Sequence, residues 1–205
     1  MIVKLPESSK DITLYQYQKL VELLSRTDLS TTQLEDRKIH LFTGIRLNDI
    51  QNIVHSDRED MLVQIELALN EPSDFVNTFK IEDVEFGFIT NFDKITSAEY
   101  FDLSKYGQEV ETLHNLMAVL FRPIKQKAKL KLGAYSIEEY KGTEEWAEIM
   151  KLTPMNVVNG ALFFFANLRN ELMSCIQRYM TEEQKRGELQ ATISKSGDGT
   201  QPLMS

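Results

Sequence analysis

The sequence predicts an α+β fold, mainly α-helical, with the helices packed around one long C-terminal helix and one or two small antiparallel hairpins alongside. Three observations carry this. Apolar residues recur at threes and fours over most of the chain, period-two alternation is confined to short stretches near residues 75–89 and 121–140, and the helical pattern between Pro154 and Tyr179 persists for about seven turns.

In chain order, residues 2 to 5 suit a short edge strand ended by Pro6. Thr13 reads as the N-cap of a helix whose inward face is Leu14, Tyr17, Leu20, Val21 and Leu24. A second helix follows Ser30, turns Leu34, Ile39, Leu41 and Phe42 mostly inward and stops at Gly44. Leu47, Ile50 and Ile53 suggest a short helical step capped by Asn48. Ser56 with Glu59 has capping-box spacing and opens a helix to about Asn70, ended by Glu71-Pro72-Ser73. Residues 75–82 and 84–89 alternate as a hairpin turning at Glu82-Asp83.

Thr96 and Glu99 form a further capping box, so a helix starts at Ser97. Val110, Leu113, Met117 and Leu120, widened by Leu116 and Phe121, make a core helix that stops near Arg122-Pro123, because proline disfavours helical geometry in the residue before it. Residues 121–126 and 132–140 suit a second hairpin, and Thr143 with Trp146 a short helix. Thr153-Pro154 then opens the longest helix, with proline at the first position where its missing amide costs nothing. Phe163, Phe164 and Phe165 are consecutive and span roughly 200° of its circumference, more than one stripe can hide. That helix is therefore either buried on nearly two sides or offers an apolar patch to a partner. A single globular domain over 1–180 is expected, followed by a disordered polar tail over 181–205 rich in Glu, Lys, Gly, Ser, Thr and Gln.

Composition narrows the function classes. The 205 residues carry a formal net charge of −8, which disfavours binding to nucleic acid through its phosphates. The one basic run, Lys125, Lys127, Lys129 and Lys131, reads as the solvated face of a strand or hairpin. Cys175 is the only cysteine, so no intramolecular disulfide forms and a reducing cytoplasm fits. The longest apolar run near the end, ALFFFA, is far short of the ~20 residues a bilayer span needs, and the start lacks a signal-peptide core. The expectation is a soluble protein with no nucleic-acid or membrane partner.

No catalytic set emerges. Glu111 and His114 have the E-x-x-H spacing of di-iron bundles, but no second pair accompanies them, and His114 reads as a hydrogen-bonded helix residue. Cys175 sits beside Met173 and Ile176, where a small buried hydrophobe is the expected role. Asp102, Glu109, Glu138 and Glu139 read as solvated faces rather than an acid/base couple. There is no phosphate-cradling glycine loop and no nucleophile elbow. The reading is a non-enzyme without metal or cofactor. Five methionines, Met117, Met150, Met155, Met173 and Met180, would suit an adaptable apolar groove, with core filling the alternative for at least three.

The segments FGFITNFDKITSAEYFDLSKY (86–106), HNLMAVLFRPI (114–124), YSIEEYKGTEEWAEIMKLTPMNVVNGALFFFANLRNEL (135–172) and, more loosely, ITLYQYQKLVELL carry a resemblance. The chain resembles a family of bacteriophage proteins of about this length encoded among virion-assembly genes, and departs from their pattern at Thr90, where a proline is expected. The resemblance implies a non-enzymatic morphogenesis factor similar to tail-assembly chaperones, working in the host cytoplasm on an apolar helical tail protein. The alternative is a structural component of the virion, such as a head-to-tail connector or cargo protein. Phe163, Phe164, Met155 and Met173 are the expected partner-binding residues.

Overall fold

A computed structural model of the protein describes residues 4–89, 91–127 and 135–167. The chain divides into two compact units, Met1–Leu162 and Phe163–Ser205, and residues 163–167 are the described part of the second. The fold class is α+β and mainly helical, with one antiparallel sheet.

Four helices form the N-terminal half: α1 (Leu14–Leu24), α2 (Thr31–Thr43), α3 (Leu47–Ile50) and α4 (His55–Leu69). Thr13 and Ser30 accept the amides of Gln16 and Gln33, whose side chains reach back, so both cap as reciprocal boxes. Gly44 closes α2 at φ 73°, a left-handed geometry that a side chain would strain. Two expected caps do not form. α4 starts one residue before Ser56, and α3 is preceded by Arg46 rather than capped by Asn48; neither helix has a side-chain cap bond. No strand forms at residues 4 and 5, where Ser8 instead caps a 3-10 turn over Ser9–Asp11.

The sheet runs β1 (Thr78–Ile81), β2 (Val84–Phe88), β3 (Phe121–Lys127) and β4 (Tyr135–Ile137), in that spatial order and antiparallel throughout. The two expected hairpins are thus one sheet, joined where Phe86 faces Pro123 and Phe88 faces Phe121. Burial drives the merger. Phe86 and Phe121 are fully buried, and the rings of Phe75, Phe79, Phe86, Phe88, Phe121 and Trp146 meet mostly edge to face at centroid separations of 4.7–5.7 Å. Gly87 has no side chain because the Tyr135 ring lies where its Cβ would be, and the Tyr135 hydroxyl is shared between the carbonyls of Asn77 and Phe88.

Two helices separate β2 from β3. They are α5 (Ser97–Tyr106), capped by Thr96 as expected, and α6 (Leu113–Leu120), entered through a 3-10 turn over Val110–Thr112. α6 passes into β3 without a loop, since Phe121 is already extended at φ −122° and ψ 128°. The expected stop at Arg122-Pro123 comes slightly earlier, and Pro123 becomes a strand residue whose carbonyl accepts the Glu138 amide. Leu116, Met117, Val119 and Leu120 are fully buried, and α6 packs on both α5 and the short α7 (Ala147–Met150).

The expected organisation around one long C-terminal helix is corrected by this packing. Helix α8, over 155–167, is the described part of that helix; the stretch to Tyr179, like the expected domain end at 180 and the tail beyond it, lies outside the described residues. Helix α6 packs against α5, α7 and β3. The start of α8 is fastened to the N-terminus by backbone bonds, with Leu14 N–H donating to Thr153 O and Met155 N–H to Ile12 O, both at 2.8 Å.

Gly160 supplies a test of that packing. A Cβ there would lie 2.4 Å from the Asp74 carbonyl oxygen, a backbone atom that cannot swing aside. Alanine gains about 1 kcal/mol in helix propensity, yet overpacking costs about 1–3 kcal/mol. Gly160→Ala is therefore expected to lower stability in urea titration by up to about 2 kcal/mol; a stabilised variant would show that the Asp74 segment yields.

Candidate interaction surface

Helix α5 owes its position to a pair of charges taken out of water. Glu99 closes the local cap, one carboxylate oxygen accepting the Thr96 amide at 2.6 Å, while its other oxygen accepts from Arg122 Nη2 at 2.8 Å. Both side chains are almost wholly buried. The Arg122 guanidinium also stands 5.8 Å from the centre of the Tyr140 ring, and the Tyr140 hydroxyl donates to Asp102 at 2.5 Å. Burial, then the bond to Asp102, pushes the Tyr140 pKa far above its ordinary value, so the phenol keeps its proton and acts as a donor. Asp102 is thus not the solvated carboxylate expected from the sequence. This network fastens α5 and the segment after β4 to β3.

The Arg122 side chain borders a cavity of about 10 Å³ lined by Glu138, Glu139, Lys141, Glu145 and Trp146. That volume matches about one water-sized sphere and is far below the ~300 Å³ at which small-molecule sites begin.

With Glu99 and Leu103 inward, α5 turns Tyr100 and Phe101 outward, 64% and 66% exposed. Neighbouring aromatic side chains on a rigid helix are suited to anchoring a protein partner, because they offer large contact area for two rotatable bonds each. Nothing in the sequence pattern singled them out; the signal was the capping box itself, which fixes which face of α5 carries Glu99.

The expected partner-binding residues fall in different places. Phe163 is 69% exposed and Phe164 is half-buried. Met155 is 4% exposed and packed in the core, so it presents no surface to a partner. Met173 lies outside the described residues, as do Met180, Cys175, Lys129 and Lys131. Met117 and Met150 are fully buried, so all three described members of the five-methionine set fill the core. Lys127 pairs with Glu85 across the sheet at 2.7 Å.

Glu111 belongs to the 3-10 turn that leads into α6, and His114 to the first turn of α6 itself. The Gln18 amide from α1 donates to the Val110 and Glu111 carbonyls and lies 3.2 Å from His114 Nδ1, while Asn115 Nδ2 lies 3.1 Å from Nε2. Among the described residues no group of three or more His, Cys, Asp or Glu could hold a metal ion, and no helix is long and apolar enough to cross a membrane. No family model, curated protein or solved structure matches the chain.

Two outcomes test the site. Glu99→Gln keeps a side chain that can cap but strands the Arg122 charge, so it is expected to cost about 3–5 kcal/mol in chemical denaturation, whereas Glu99→Leu with Arg122→Met should recover most of that loss. Burial, and then the positive charge of Lys151, lowers the His114 pKa below its ordinary 6.5. The unfolded chain therefore binds the extra proton more readily, and the stability contributed by neutral His114 is present above pH 6.5 and lost as pH falls below it. Denaturation midpoints measured between neutral and mildly acidic pH should decline for the wild type and flatten for His114→Gln; parallel profiles would assign the decline to other groups.

Proposed function

We propose that the chain is a non-enzymatic phage morphogenesis factor, similar to a tail-assembly chaperone, which holds an apolar helical tail protein in the host cytoplasm until it is assembled. The observation that carries this reading is the outward pair Tyr100 and Phe101 on a helix locked by the Glu99–Arg122 ion pair. A chaperone of this kind needs anchors that do not reorganise on binding, since ordering each rotamer-rich side chain costs about 0.5–1.5 kcal/mol. Phe163, exposed on α8, is a second anchor of the same type. The segments that carry the family resemblance include α5, α6 and the start of α8, the elements that bear or position these side chains.

The double variant Tyr100→Ala with Phe101→Ala is expected to change the stability of the isolated protein by no more than about 0.5 kcal/mol, as for exposed positions, and to weaken capture of a co-expressed tail protein by about 2 kcal/mol or more. Quantitative mass spectrometry of purified particles separates the reading from its rival. A chaperone is absent from finished virions, while stoichiometric presence would make the chain a structural component such as a connector or cargo protein.

A further inference from the structure

Helix α4 is apolar on more sides than its contacts use. Ile65 and Ala68 are buried inward, yet Val63 and Leu67 are 57% and 63% exposed and, with Leu62, Glu66 and Asn70, line an open groove of about 290 Å³. At 100° per residue the outward stripe reads Ser56, Glu59, Asp60, Val63, Glu66, Leu67 and Asn70. It contains three carboxylates and no lysine or arginine. Two cations that link α4 to α2 are already engaged: Arg58 pairs with Glu35 at 2.8 Å and Asp36 at 3.0 Å, and the buried Lys38 pairs with Glu66. The carboxylates on the stripe without a lysine or arginine partner are those of Asp60 and of Glu59, whose Oε1 lies 3.3 Å from Nε2 of the exposed His55. A helix dipole does not account for them, because both stand beyond the first turn, where Asp57 already serves that role.

We infer that this face of α4 is a docking site for a basic amphipathic helix of a partner protein, two of whose apolar side chains, three or four residues apart, seat on Val63 and Leu67 while a lysine or arginine meets Glu59 and Asp60. The charge selects the occupant. A second copy of the chain would bring its own carboxylates against these, and like charges brought together in an interface are unfavourable. Anionic lipid and nucleic acid are repelled by the same stripe. The surface lies on a different helix from Tyr100 and Phe101, and the inference holds whichever particle or complex the chain serves.

The test titrates the full-length protein with two synthetic helical peptides of about 18 residues, long enough to form helix when bound. Both carry the same leucine stripe, one flanked by lysines and the other by glutamates. The lysine peptide is expected to bind with amide shifts confined to residues 56–70, at least about tenfold more tightly than the glutamate peptide. Val63→Ser with Leu67→Ser should abolish that binding without changing the melting temperature, and Glu59→Lys with Asp60→Lys should reverse the preference for peptide charge. Equal affinity for both peptides, shifts centred elsewhere, or no binding of the lysine peptide would each overturn the inference. So would self-association of the unmodified chain, seen by sedimentation and lost in the serine variant, since the face would then belong to a second copy.

Discussion

The contact on which the arrangement of the second half depends is the ion pair between Glu99 and Arg122. Desolvating a carboxylate and a guanidinium costs several kcal/mol per ion, and the attraction between them offsets this only if the remaining lone pairs and protons are also satisfied. Glu99 meets that condition through the Thr96 amide, and Arg122 partly through the Tyr140 ring. The Arg122 Nε finds no partner among the described residues. Such a pair adds little net stability over an apolar substitute, but it tolerates only one placement of α5 against β3. Few other residues of α5 are buried, Leu103 chief among them, so its orientation would otherwise be weakly specified.

That constraint decides what α5 exposes. With Glu99 and Leu103 on its inner face, Tyr100 and Phe101 stand on its outer face, mostly in water. Helix α4 solves the same problem with charges at its margins. Arg58 and Lys38 tie it to α2, and its outward stripe keeps Val63 and Leu67 between carboxylates. In both helices salt links set the rotation about the axis, and the rotation decides which apolar side chains remain in water. The aromatic cluster of the sheet and the buried face of α6 supply the rigid body against which these helices are set.

The local punctuation of the chain was legible because its causes span three or four residues. Thr13 caps α1, α2 follows Ser30, Thr96 and Glu99 close the box of α5, Gly44 ends α2, and the hairpin turns at Glu82, whose φ of 51° marks the tight reversal. Where the same reasoning missed, a longer-range contact had prevailed. Ser56 and Glu59 have the right spacing for a box, but Arg58 is anchored on α2, the helix begins at His55, and Glu59 lies beside His55 instead.

The sequence by itself therefore determined the fold class and most helix boundaries, which follow from periodicity and from neighbours along the chain. Tertiary structure alone decided that two hairpins share one sheet, that α6 packs between α5 and α7, that Met155 is buried while Tyr100 and Phe101 are exposed, and that Glu99 answers Arg122 as well as its own cap. The physical reason is that periodicity states how many apolar residues a helix carries on each side. Which side meets the core depends on partners distant in sequence, and a carboxylate that satisfies a local cap with one oxygen gives no sign of where the other will bond.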